Sequence, residues 1–227
     1  MIFTDTKLNV IIGAYGSGKS EIAVNAAIFM RENMPDRKIL LADMDIVNPF
    51  YRSADAADVL AEHDVRTVLP SYAGSNVDAP VLSGEMYAIF DDERYSGVYD
   101  IGGEDMGATI LGSLHSRLMG IDHKLIMVVN TLRPFTSTAE EIAVMTVELS
   151  GAANLKVDGY INNTNLLEET AGDMVLAGED MILKASELTG VPLLATAAME
   201  EVWDSIDESK IKAPDKLKLR RIIHYNY

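Results

Sequence analysis

Leu8-Asn9-Val10-Ile11-Ile12-Gly13-Ala14-Tyr15-Gly16-Ser17-Gly18-Lys19-Ser20 is the stretch that decides the fold. A short apolar run leads into a full G-x4-G-K-[ST] pattern from Gly13 to Ser20, and Glu21 to Glu32 carries apolar residues at Ile22, Ala26, Phe29 and Met30. That order reads as strand, phosphate-binding loop and helix. Glycines let consecutive backbone N–H groups point inward as an anion nest, and the helix that follows adds the positive end of its dipole. Gly13, Ala14, Tyr15, Gly16, Ser17, Gly18, Lys19 and Ser20 are therefore the expected phosphate cradle. Lys19 neutralises phosphate charge and Ser20 supplies a hydroxyl to Mg²⁺. The plain alternative is a glycine-rich turn with no ligand.

Working outward, further apolar runs alternate with helical patterns. Lys38 to Asp43, Arg66 to Leu69, Gly97 to Ile101, Lys124 to Val129, Lys156 to Ile161 and Val191 to Leu194 read as strands. Ala108 to Met119, Ser137 to Leu149 and Gly178 to Leu188 read as helices. The expected fold is α/β, a three-layer arrangement with a mainly parallel sheet and helices on both faces, as in P-loop NTPases. In such a sheet, ligands sit beyond the carboxyl ends of the strands. The P-loop, Asp43, Asp45, Asp100, Asn130 and Asn163 all fall at or just after strand ends, so one shared crevice is expected.

Composition bounds the rest. The 227 residues, 48% hydrophobic, carry no linker-like segment, and residues 1–227 read as one nucleotide-binding domain with a short basic tail from about 210 to 227. No basic-then-apolar leader opens the chain and no apolar run is long enough to cross a bilayer, so a cytoplasmic location is expected. The absence of cysteine excludes disulfides, thiolate zinc sites and cysteine nucleophiles. His63, His115, His123 and His224 show no i,i+4 metal spacing. A net charge of −16 disfavours DNA, RNA and anionic lipid as partners. The exception is Lys210, Lys212, Lys216, Lys218, Arg220 and Arg221, interleaved with apolar residues that fit helical and strand spacing equally badly. This tail reads as a solvated helix or an edge strand, with membrane or partner docking as the alternative.

Asp100 closes an apolar strand and precedes Gly102-Gly103, the arrangement of a Walker B carboxylate that holds Mg²⁺ through water, with a plain strand-terminating Asp as the alternative. Gly102 or Gly103 could sense the γ-phosphate through its N–H, placing Glu104 and Asp105 on a switch segment. A second acidic pair, Asp43 and Asp45, follows the strand at Leu41-Ala42. Together with the P-loop, the Asp-x-Gly-Gly and a strand-end Asn, it makes residues 8 to 200 resemble the MinD/ParA/CobQ group of P-loop ATPases, within the SIMIBI class. The resemblance implies that Asp45 orients the attacking water and Asp43 lies near the Mg²⁺ shell, although the sequence leaves open which carboxylate is nearer the ion. It implies that Asn163, with Asn162 as the neighbouring alternative, bonds the adenine edge, and that the loop after Val191 to Thr196 lines the base. It also implies Mg²⁺ and ATP as cofactors.

The sequence departs from that family at Ala14, where members that sandwich ATP between two subunits carry a second lysine. Arg52 and Arg133, each just past a strand end, are the candidate substitutes for its charge. Three functions are consistent with these residues. One is a slow ATPase switch read by a partner protein, with catalysis by Asp45 and Lys19. Another is a kinase or ligase acting on a small-molecule acceptor held by Asn48 to Arg52 and Ser71 to Ser83. The last is a partition or membrane-positioning ATPase, and a homodimer stays open in each case. Guanine-reading relatives use Asn-Lys-x-Asp; Asn162-Asn163-Thr164-Asn165 has neither the lysine nor the carboxylate, which favours ATP over GTP.

Overall fold

Eight parallel strands form one sheet in the order β3-β2-β4-β1-β5-β6-β7-β8. They are β1 (Leu8–Ile12), β2 (Lys38–Asp43), β3 (Val65–Val68), β4 (Tyr95–Asp100), β5 (His123–Val129), β6 (Gly159–Asn162), β7 (Leu193–Met199) and β8 (Asp215–Leu219). The helices are α1 (Lys19–Asn33), α2 (Ala57–Glu62), α3 (Ala88–Asp91), α4 (Glu104–Leu118), α5 (Ala139–Ala153), α6 (Gly172–Thr189) and α7 (Glu200–Trp203). The structure, a computed structural model, describes residues 1–44, 56–69, 84–102 and 104–223.

Two apolar clusters line the two sheet faces, so the protein is the three-layer α/β P-loop fold that the strand and helix patterns imply. Ile39 and Leu41 of β2, Val98 of β4 and Ile11 of β1 pack on one face against Ile22, Ala23, Ala26 and Leu60 of α1 and α2. Leu40, Tyr99, Val10 and Leu125 point the other way, to Leu114, Ile142 and Ile182 of α4, α5 and α6. Strand residues alternate between faces by the period of two, and both faces being covered explains why the strands read as continuous apolar runs. Each fully buried Ile or Leu contributes about 1.5–3 kcal/mol.

Several element ends differ from the sequence reading, each for a local reason. The α5 helix starts at Ala139 rather than Ser137 because Thr138 Oγ1 accepts from Glu141 N at 3.1 Å and caps it. The α6 helix starts at Gly172, because Gly172 and Gly178 serve close packing against Ser205 and Thr164. Within the basic stretch, Lys216 and Lys218 lie on an edge strand, β8, followed by residues 220–223, while Lys210 and Lys212 precede it. Each of its cations has a carboxylate beside it: Lys210–Asp207, Lys212–Asp180, Lys216 and Lys218–Glu208, Arg220–Glu200 and Arg221–Glu201, at 2.6–3.6 Å. Its charge is neutralised where it stands. Among the described residues no helix is long and apolar enough to cross a membrane.

The same segment is tied back to the start of the fold. Ile2 N donates to Asp215 Oδ2 at 2.8 Å, and Asn25 exchanges two hydrogen bonds with the backbone of Arg220 at 2.9 and 3.0 Å. Buried Glu21, in the first turn of α1, accepts from Ile222 N at 2.9 Å and Ile223 N at 3.3 Å. Burial raises the Glu21 pKa above its ordinary 4.5, against the lowering effect of those N–H groups and of Arg221. The folded state therefore keeps this proton at pH values where the unfolded chain has lost it. Its contribution to stability is greatest below pH 4.5 and declines as pH rises through the elevated folded value. Urea unfolding of wild type and Glu21→Gln from about pH 4 to 8 checks this. Wild type should lose stability relative to the variant as pH rises, and a flat difference would remove Glu21 as the source.

Candidate nucleotide-binding site

The first βα turn places the P-loop where the strand order reverses, since β1 lies between β4 and β5 while the chain runs first to β2 and β3 and later to β5 through β8. Gly18, at the N-cap of α1, has φ +84°, and a Cβ there would lie 2.3 Å from Asn163 Nδ2. Both the left-handed backbone and that approach require glycine. Lys19 and Ser20 are buried at the start of α1, and Lys19 Nζ donates to Ala14 O at 3.1 Å. The loop is thus held in shape by its own lysine, with its backbone turned about the helix N-terminus.

The strand register brings the metal candidates together. Asp43 and Asp100 end adjacent strands and stand directly opposite each other, and Asp100 is also opposite Ile11 of β1. By alternation with Ile39, Leu41 and Val98, both carboxylates belong to the sheet face covered by α1, the helix that opens with Lys19 and Ser20. Both are buried. Two carboxylates and a hydroxyl make a hard oxygen set suited to Mg²⁺. Among the described residues no cluster of three carboxylate or imidazole side chains forms. An ion held here would draw its remaining ligands from water and phosphate, as Mg²⁺ commonly does.

The loops after β5 and β6 close the other side. Asn163 Nδ2 donates to Ser17 O at 2.8 Å, joining the end of β6 to the P-loop. Asn162 is turned inward: its Nδ2 donates to Val175 O at 3.0 Å and its Oδ1 accepts from Thr164 N at 3.1 Å. Asn130 staples the two loops through Asn165, at 2.9 Å to its carbonyl and 3.3 Å from its N–H. Thr196, at the end of the stretch expected near the base, is buried and donates to Glu179. Arg133 lies over the P-loop: a Cβ on Gly16 would be 3.4 Å from its Nε and 3.8 Å from its Cζ. Ala14 is buried among the apolar residues of the α4–α6 face. Exposed Tyr15, Leu132, Phe135 and Leu166 lie on the P-loop and on these two flanking loops.

Of the residues singled out in the sequence, Asp45, Gly103, Arg52, the stretch Asn48 to Arg52 and the whole of Ser71 to Ser83 lie outside the described residues. Glu104 and Asp105 open α4. Sequence reasoning did not foresee the bracing role of Asn163 on Ser17, nor Glu21 beneath the loop. An acidic residue directly after G-K-S was the only signal for the latter.

No protein-family model matches the sequence, and no curated protein does either. Solved structures do match. The chain is similar to FtsY from Mycoplasma mycoides, with a TM-score of 0.53 at 17% identity over 84% of this chain and 60% of that one. It is also similar to the cell division protein ftsY from Thermotoga maritima, with a TM-score of 0.53 at 15% identity over 85% of this chain and 62% of that one. The chain thus spans about three-fifths of the length of these structures. At such identities the likeness is one of fold, the three-layer α/β P-loop fold.

Proposed function

We propose that this chain binds Mg²⁺-ATP in the crevice above β1, β2 and β4 and acts as a slowly hydrolysing switch for a partner protein. The observation that carries this reading is that Asp43 and Asp100 stand opposite each other at the ends of β2 and β4, on the sheet face covered by α1, the helix that opens with Lys19 and Ser20. Within the SIMIBI fold, the Ala42-Asp43-Met44-Asp45 and Asp100-Ile101-Gly102-Gly103 sequences favour a MinD/ParA-like arrangement.

In this reading, the P-loop amides and Lys19 hold the phosphates. Ser20, Asp43 and Asp100 hold Mg²⁺, which supplies charge neutralisation to the leaving phosphate. Asp45 orients the water. Presence or loss of the terminal phosphate is what the partner reads. The exposed apolar side chains of Leu132, Phe135 and Leu166 offer a partner a contact surface on the loops flanking the site.

Adenine is favoured over guanine by the orientation of one amide. Because Asn163 Nδ2 is committed to Ser17 O, its Oδ1 is turned away from the P-loop as an acceptor. An acceptor facing the six-position edge of the purine suits the exocyclic amine of adenine and repels the O6 of guanine. Displacement of a fluorescent ATP analogue by unlabelled ATP and GTP, with Mg²⁺ present, tests the assignment. ATP should compete at least about tenfold better, the difference that one misplaced polar contact of about 1.4 kcal/mol makes. Equal or better competition by GTP would overturn it.

A further inference from the structure

Among the described residues, Arg133 is a basic side chain at the crevice with no side-chain hydrogen bond or ion pair. Its backbone is pinned: Arg133 N donates to Asn130 O at 3.2 Å, and Thr136 N donates to Arg133 O at 3.3 Å. The loop that carries it is cross-linked to the β6 loop through Asn130–Asn165 and through Thr131 and Thr164, whose hydroxyls are 3.1 Å apart. The side chain reaches from this scaffold to the P-loop, so that Cδ, Nε and Cζ would be 3.6, 3.4 and 3.8 Å from a Cβ on Gly16. Its Nε is buried and, among the described residues, has no hydrogen-bond partner. No described carboxylate forms an ion pair with it, although the protein carries a net charge of −16.

A buried guanidinium N–H without an acceptor is costly, and a planar cation beside an anion-binding loop is suited to phosphate oxygens. The other position from which a second cation could come is filled by Ala14, whose methyl group is packed in the apolar core. We propose that Arg133 is a phosphate clamp acting in cis, its guanidinium binding the terminal phosphate oxygens of a nucleoside triphosphate held in the P-loop of the same chain. This rests on the P-loop reading above. One chain then carries both cations of the phosphate site, Lys19 from the helix N-terminus and Arg133 from the loop after β5. The site needs no residue from a second subunit to distinguish triphosphate from diphosphate.

Arg133→Ala and Arg133→Lys test the clamp, with dissociation constants for a non-hydrolysable ATP analogue and for ADP measured in Mg²⁺ by titration calorimetry. Arg133→Ala should weaken the triphosphate about 10- to 100-fold, as loss of a charge-assisted contact does, while changing ADP less than about threefold. Arg133→Lys should recover part of the triphosphate affinity, because it restores charge without the planar fork. Equal weakening of both nucleotides would assign Arg133 to shaping the loop and overturn the clamp, as would unchanged triphosphate affinity. Lys19→Ala, measured alongside, separates the two readings. If it binds like wild type, the P-loop assignment itself fails. If it loses binding while Arg133→Ala keeps it, only the clamp fails.

Discussion

Lys19→Ala is expected to weaken binding of Mg²⁺-ATP by at least about a hundredfold, because it removes two charge-assisted contacts of about 1.5–3 kcal/mol each. The expectation follows from where the lysine sits. Its side chain is buried in a loop whose backbone it holds through Ala14 O, at the N-terminus of α1 and on the face shared with Asp43 and Asp100. No described neighbour can replace it from the same direction, since Arg133 approaches Gly16 from the loop after β5. Calorimetric titration of wild type and variant measures the loss. Circular dichroism confirms that the variant is folded, and retention of wild-type affinity by a folded variant would remove the P-loop from the account of function.

Gly97→Ala should produce the largest loss of stability, about 3 kcal/mol or more. Gly97 lies in β4, opposite Leu40 of β2 and Leu8 of β1. A Cβ there would sit 2.1 Å from the carbonyl oxygen of Leu40 and 3.1 Å from its carbon. The obstacle is backbone in the middle of a sheet, so no side chain can swing aside. Relief requires β2 and β4 to part, three residues before the register that sets Asp43 beside Asp100. A loss of 3 kcal/mol corresponds to a fall in Tm of about 6–12 °C for a chain of this size. Gly112→Ala is the control, because nothing lies within 4 Å of the added methyl group and an exposed helical Gly→Ala change stabilises by up to about 1 kcal/mol. A Tm for Gly97→Ala within a degree or two of wild type would mean that the strands yield at little cost.

The legible part of this molecule was the part written in local pattern. β1, β2, β4 and β5 are apolar runs because both of their faces are covered, and the P-loop is a contiguous motif. β8 is legible only as one of two alternatives, a solvated helix or an edge strand, because Asp215-Lys216-Leu217-Lys218-Leu219 has one face exposed; its pairing with β7 makes it the edge strand. β7 runs beyond the apolar stretch Val191 to Leu194, although Ala195-Thr196-Ala197-Ala198 has little strand preference of its own. Pairing with β6 and β8 on both sides imposes the extended form. At the site, the carboxylates Asp43 and Asp100 were visible as strand ends, but their side-by-side register depends on β4 inserting between β2 and β1. The contact of Arg133 with the P-loop arises from two loops brought together by neighbouring strands, which no sequence spacing records.

The ties from residues 215–223 to Ile2, Glu21 and Asn25 bear on how the protein comes off the ribosome. Glu21 and Ile222 are 201 residues apart, so at translation rates of 5–20 residues per second about 10–40 s separate their synthesis. Throughout that interval, the helix that presents Lys19 and Ser20 lacks the backbone N–H groups that satisfy its buried carboxylate, and β7 has an unpaired edge. The nascent chain can assemble much of the sheet during elongation. The helix beneath the phosphate loop therefore acquires these contacts late, and a finished nucleotide site waits until residues 222 and 223 have emerged.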